Sequence, residues 1–488
     1  MLDKRKENMK SYFFLFLFAV LFVYIASFST SPLYPFYCQG DSAQFQTMGK
    51  GWLCGRIPYR DMFDHKGPVI FLIDMLGFSL NGKSSGITVI QAICMFVTMV
   101  YLYKISQLVC NKKWYGMITC ILSFAVLTSV YGEGNFTEEY CLPFLSISTY
   151  YQHRYFIDQS DVEGEHKPIW AAIYGCTFGV CLLTRVTNAI TVCCGILIIS
   201  IILFYKRKYI NFLKNVVGFI VGFAIIVTPF IIYFAYYGVL REFIYASIQY
   251  NIEYKARMTS WVLNAEGRDW IRFGICYFSA YSIFLVAILA FMRKKYALMF
   301  FSLLCGGMEC YLYLSGGLFE QYAIIMLPQF VLLLNEIILL KKGKKISQII
   351  QKMCAIAIVF FCLILAYKFA VRAVSMHEKY SEYNVVGYEQ LLEIIPQNER
   401  DSFVAYGDNR IKGVYLLNDI MPCYKYFAIQ EWHASFSDYI KEDIQKTFEE
   451  GTAKWILTSG AIDNIQDVLN SRYQLIDQME DYGLYKLK

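Results

Sequence analysis

The chain has 488 residues, 57% of them hydrophobic and only 17% charged, with a formal net charge of +6 and a mean hydropathy of +0.40. Soluble domains carry about 25% charged residues, so a large soluble enzyme is excluded. Residues 371–488 hold 12 Lys+Arg and 19 Asp+Glu, which leaves 33 basic and 20 acidic residues in 1–370, and that basic excess calls for no nucleic acid because most of it falls in short loops between apolar runs.

The N-terminal "MLDKRKENMK" precedes an apolar run that looks like a signal peptide. Its length and the many runs behind it make it a first, uncleaved span at 12–28. Next comes "GDSAQFQTMGKGWLCGRIPYRDMFDHKGP", with three aspartates, two arginines, two lysines and a histidine. The apolar run at 69–80 is too short to cross and contains Asp74, so it reads as a juxtamembrane helix that stays on one side. Further spans are expected at 86–109, 115–130, 140–156, 169–183, 189–205 and 216–237. A long loop at 238–270 follows, then spans at 271–292, 297–314, 322–340 and 346–370. The fold class is therefore a polytopic α-helical membrane protein of about 11 spans.

Charge sets the orientation. With the N-terminus cytoplasmic, "CNKKW", "KRK", "RKK" and "KKGKK" all face the cytoplasm, as the positive-inside rule requires. The acidic segment 157–167 also falls there, and acidic residues count little in that rule. The opening loop, "GNFTEEY", "TRVTN", 238–270 and "SGGLFEQ" then lie outside, in a plasma membrane. The chain divides into a membrane domain, 1–377, and an extracytoplasmic α/β domain, 378–488. In the latter, "SFVAYG" and "AKWILTSG" read as strands. "SDYIKEDIQKTFEEG" reads as a helix capped by Ser437 or Asp438 and stopped by Gly451, and "YQLIDQMEDYGLYKL" as a terminal hairpin.

No C-x-x-C pair exists among the sixteen cysteines, which gives no support to a zinc or dithiol site. Cys38 and Cys54 flank the opening loop and either pair or stay free. The ionisable groups on the external face are more informative. Asp41, Asp61, Asp64, Glu133, Glu138, Glu139 and Glu320 share it with Arg56, Arg60, His65, Lys66, Arg185, Arg241, Lys255, Arg257 and Arg268. A carboxylate can deprotonate an acceptor hydroxyl, and an Arg or Lys can stabilise a phosphate leaving group.

These motifs resemble the GT-C superfamily of integral membrane glycosyltransferases, in particular the protein O-mannosyltransferase, aminoarabinose transferase and Rgt-like group. The likeness rests on one span followed by Asp41, on "GRIPYRDMFDHKGP" before a juxtamembrane helix, and on "GNFTEEYCLPF" after the third span. "SGGLFEQYAIIMLP", with Glu320 and Tyr322, is similar to a loop-to-span segment near the donor site. The resemblance implies sugar transfer from a polyprenyl-phosphate-linked donor to an external glycan, lipid or protein acceptor. Asp41 would activate the acceptor, the second acidic position falls on Glu138 or Glu139, and Lys66 or Arg185 would face the lipid phosphate with His65 and Arg60 nearby. Ser42 stands where many relatives carry a second acidic residue. No cofactor is certain; a divalent cation at the carboxylates stays open.

Several of these groups also have plain structural readings. Asp41 with Gln44 has capping-box spacing, and carboxylates at 138 and 139 suit a helix N-terminus. Asp61 and Asp64 would hold the turn from Arg60 to Lys66. Asn135-Phe136-Thr137 is a glycosylation sequon, a frequent chance match. Two other functions compete: a transporter or flippase for lipid-linked sugars, and a non-catalytic assembly subunit.

Overall fold

The computed structural model describes residues 2–157, 164–258, 262, 265–340, 345–383 and 387–488. The acidic run 158–163 and most of the "KKGKK" cluster lie outside the described residues. In chain order the helices are α1 (Leu2–Ala26), α2 (Gly40–Leu53), α3 (Pro68–Asn81), α4 (Ser85–Gln107), α5 (Lys113–Leu127), α6 (Thr137–Ile157) and α7 (Pro168–Leu182). Then come α8 (Ile190–Tyr205), α9 (Tyr209–Tyr236), α10 (Leu240–Ile244), α11 (Tyr250–Arg257), α12 (Gly267–Met292), α13 (Tyr296–Ser315), α14 (Leu327–Leu339) and α15 (Lys345–Tyr380). Two compact units result, one from Met1–Ser27, Val89–Phe230 and Thr259–Ser375, the other from Phe28–Thr88, Ile231–Met258 and Met376–Lys488.

The first unit is a helical bundle. Each of the eleven expected spans coincides with one helix: α1, α4 to α9 and α12 to α15. Seven described helical segments are long and apolar enough to cross a membrane by themselves, while α5 and α7 have 15 residues each. The outward faces confirm an apolar solvent. On α15, Phe360, Leu363 and Tyr367 are 62–72% exposed, an apolar surface too large to face water. Inside, Leu142, Leu145, Phe124, Tyr131 and Val331 belong to one contiguous core.

Helix α7 crosses α9 through glycines. A Cβ on Gly175 would strike the Phe219 carbonyl, and one on Gly222 would strike that of Ala172. Backbones approach this closely only when small residues repeat every four positions, as Gly175–Gly179 and Gly218–Gly222 do. Gly222→Leu is expected to force the pair apart at a cost of about 3 kcal/mol or more. A fall in monodisperse protein after detergent extraction, with Gly222→Ala intermediate, checks it.

In the second unit α2 packs on α3 at Gly49, where a Cβ would lie 2.5 Å from the Asp74 Cβ. The interval 238–270 is not the loop expected. It is helical from Leu240 to Arg257, with a π-turn at Tyr245–Gln249 between α10 and α11. Phe243, Ala246 and Tyr250 supply its buried stripe.

The C-terminal part of this unit adds α16 (Gly387–Glu393), β1 (Phe403–Gly407), α17 (Val414–Leu417), α18 (Gln430–Phe436), α19 (Asp438–Glu449), β2 (Trp455–Ser459), α20 (Gln466–Arg472), β3 (Tyr473–Met479) and β4 (Tyr482–Leu487). The sheet order is β1-β2-β4-β3. β1 and β2 are parallel and wholly buried, as their continuous apolar runs require. β3 and β4 form the antiparallel terminal hairpin. α19 buries Ile440, Ile444 and Phe448 at four-residue spacing, follows Ser437, and ends before Gly451 at φ +73°.

Candidate active site

The candidate residues fall into two groups, one in each unit. In the first unit, α6 begins at Thr137, so both acidic residues occupy its first turn, where the helix dipole favours negative charge. They face different neighbours. Glu139 is fully buried. It accepts from the Tyr131 hydroxyl at 2.5 Å, from Gln91 Nε2 at 3.0 Å and from the Asn135 amide at 2.9 Å. Those bonds pin the turn before α6, where Gly132, Gly134 and Asn135 all have positive φ.

Glu138 instead accepts from Arg185 Nη1 at 2.8 Å and from the Thr137 hydroxyl at 2.9 Å. The Arg185 guanidinium lies 3.4 Å from the Tyr322 ring centroid, within cation–π range. Tyr322 sits in the 3-10 segment Glu320–Met326, which opens at Glu320. The Arg185 side chain is 22% exposed and that of Glu138 3%. This unit thus brings together Glu138, Arg185 and Tyr322. Thr184 and Asn188, on either side of Arg185, both contact Cys141 Sγ of α6 and fix the turn after α7. Asn135 is buried and accepts from the Tyr140 hydroxyl at 2.6 Å, so the sequon is a chance match.

In the second unit Asp41 is the second residue of α2 and not its cap. Gln39 holds the cap position, with no side-chain capping bond, so the expected capping box does not form. The Asp41 carboxylate pairs with Lys412 Nζ at 3.0 Å. Lys412 is nearly buried, its side chain 2% exposed, and Asp41 is half exposed. Nothing in local spacing announces this partner, which lies 371 residues away.

The loop 56–66 is stiffened from within. Arg60 makes a two-pronged pair with Asp61, at 2.8 and 2.9 Å, and Asp61 also accepts from the Ile57 amide. Asp64 accepts from the Lys66 amide at 2.9 Å and lies 3.5 Å from His65 Nδ1. Tyr59, at φ +70°, is buried and donates to the Lys66 carbonyl. Asp61 and Asp64 therefore do hold the turn from Arg60 to Lys66. Lys66 Nζ lies 2.6 Å from His65 Nε2, and the His65 ring stands 5.4–6.3 Å from Tyr250, Tyr254, Trp432 and His433. Cys38 and Cys54 are both free thiols. Among the described residues no three His, Cys, Asp or Glu side chains are grouped to hold a metal ion.

Burial pushes the Asp64 carboxyl up to about 6, against the pull of Lys66 and Lys412. The folded state then holds a proton there that the unfolded chain releases at lower pH. Its destabilising contribution is absent below about pH 4 and complete above about pH 6, on the order of 2–3 kcal/mol. Asp64→Asn is expected to raise the unfolding midpoint at pH 7.5 and to flatten its slope between pH 4.5 and 7. An unchanged slope in thermal unfolding of the detergent-solubilised chain would contradict this.

A family model described as dolichyl-phosphate-mannose-protein mannosyltransferase matches residues 65–233. No curated protein sequence matches the chain significantly. Among solved structures, ArnT from Cupriavidus metallidurans in the apo state superposes with a TM-score of 0.55, at 13% identity over 98% of both chains. The same protein bound to undecaprenyl phosphate gives 0.54 at 13% identity, over 96% of this chain and 97% of that one. The Archaeoglobus fulgidus oligosaccharyltransferase tethered to an acceptor peptide containing the NVT sequon gives 0.50 at 11% identity, over 92% of this chain and 69% of that one. At such identities the likeness is one of fold. This is a multi-span membrane protein with a small C-terminal sheet. Its fold is that of the GT-C glycosyltransferases, the group its loops resemble.

Proposed function

We propose that this protein is a GT-C glycosyltransferase that moves a hexosyl or pentosyl group from a polyprenyl-phosphate-linked donor to an external glycan, lipid or protein acceptor. The observation that carries the reading is Arg185 on this fold, held by Glu138 on one side and the Tyr322 ring on the other. A guanidinium fixed in this way is suited to stabilise phosphate charge as it develops. The undecaprenyl phosphate bound to ArnT supports the same donor class here.

In the proposed reaction the acceptor oxygen attacks the anomeric carbon. The bond from that carbon to the phosphate oxygen breaks, and its electron pair leaves with the polyprenyl phosphate. Asp41 takes the acceptor proton, and Arg185 or Lys66 meets the negative charge on the leaving group. Glu138 orients Arg185, and Glu139 holds the turn that places Glu138. The N-terminus is cytoplasmic and residues 378–488 are external, in a plasma membrane. Release of polyprenyl phosphate from labelled donors by membranes carrying the chain, lost in Asp41→Asn, supports this reading. Donor binding without release by the parent chain would favour the non-catalytic subunit.

A further inference from the structure

The first unit also contains an open cleft, with about 570 Å³ of empty space including its solvent-filled mouth, that the proposed reaction does not use. It is lined by Leu108 and Val109 just after α4, by His153, Phe156 and Ile157 at the end of α6, and by Glu336 and Leu339 at the end of α14. Arg293 and Lys295 reach it from the turn between α12 and α13, and Leu298 from the first turn of α13. These residues all lie at helix ends assigned above to the cytoplasmic side by charge.

Its chemistry is divided. Leu108, Val109, Phe156, Ile157, Leu298 and Leu339 form an apolar wall. Arg293 and Lys295 supply two cations against one carboxylate, Glu336, which accepts from Arg293 Nη1 at 2.7 Å. A guanidinium has five N–H donors, so this pair leaves Arg293 capacity for a further acceptor. The turn that carries both cations is rigid, with Lys294 at φ +58° and the Lys295 amide bonded to the Ala290 carbonyl at 2.8 Å. His153 is 3% exposed, and neither ring nitrogen has a hydrogen-bond partner among the described residues. Buried polar atoms are rarely left so, and an unpartnered one points to a missing ligand or water.

We propose that this cleft binds the phosphate of an anionic phospholipid from the inner leaflet. The phosphate oxygens accept from His153, Arg293 and Lys295, and the acyl chains run along the apolar wall. A free phosphate shares the first half of that chemistry but leaves the wall bare. The inner leaflet is the one enriched in anionic lipid. The site is independent of sugar transfer.

The test uses the full chain purified in maltoside micelles, with short-chain phosphatidylglycerol, short-chain phosphatidylcholine and inorganic phosphate as probes and the thermal midpoint as readout. Phosphatidylglycerol is expected to raise the midpoint, and phosphatidylcholine is not. Lys295→Gln and His153→Phe should each weaken the apparent phosphatidylglycerol affinity about tenfold, the worth of one charge-assisted contact. The paired variant Arg293→Gln/Glu336→Gln avoids stranding a buried carboxylate and should lose the shift. Equal shifts with both lipids overturn the proposal. So does a phosphatidylglycerol shift that survives in all three variants, which would leave the cations as helix-end caps. A shift reproduced by inorganic phosphate at the same concentration overturns the lipid and assigns the anion to solution.

Discussion

Asp41→Asn chains should insert and fold, yet transfer sugar about 100- to 10,000-fold more slowly, the range lost when a general base is removed. Asn keeps the shape of the carboxylate and accepts no proton. One structural effect has to be separated from the chemical one. Lys412 is nearly buried against Asp41, and a buried cation without its counter-charge is destabilising. The double variant Asp41→Asn/Lys412→Met removes both charges at once. It should recover the thermal midpoint of the parent and none of the transfer. Lys412→Met alone tests the other side of the pair. Its loss leaves a half-exposed carboxylate that solvent can reach, so this variant should fold and keep measurable transfer. Parent-level transfer by Asp41→Asn, measured as polyprenyl phosphate released, would remove Asp41 from the reaction.

Arg185→Gln is expected to be nearly as severe, for two reasons that a second variant separates. Glu138 is almost fully buried beside Arg185, and breaking such a pair from one side costs about 3–5 kcal/mol. Removing a donor that meets developing charge costs about 100- to 1,000-fold in rate. Arg185→Gln/Glu138→Gln relieves the stranded carboxylate and should restore stability while transfer stays low. Arg185→Lys keeps the charge but gives up the planar stack on Tyr322 and should fall between the two. Recovery of transfer by the double variant would make the ion pair purely structural.

Apolar runs carried most of the fold in plain view. Most of the eleven bundle helices, the short α3 and the strands β1 and β2 are built on hydrophobic runs, and burial or lipid contact leaves such runs few alternatives. The helix over 240–257 reads as a loop in the sequence, although Phe243, Ala246 and Tyr250 repeat at helical spacing. Its charged and aromatic exposed face disguised it as a loop.

The site residues were legible in kind more than in partnership. Glu138 and Glu139 are neighbours of the same chemistry, and only the turn before α6 decides which one meets Arg185. Gln91 is a buried polar group in an apolar helix, a signal that something nearby needs a donor. For Lys412 no local pattern exists. Its role depends on a contact with Asp41 that forms only when the second unit closes.

That contact also sets an order of events during synthesis. Helix α2 leaves the ribosome early, and every membrane segment through α15 is made before residue 412. Until Lys412 arrives, Asp41 lacks this counter-charge and α2 lacks the rest of its own compact unit. A chain released prematurely after α15 would carry the whole membrane bundle and still lack the partner of its acidic residue. Synthesis therefore completes the surroundings of α2 only after every membrane helix through α15 has been made. Chains stopped there would sit in the membrane with α2 outside its finished compact unit.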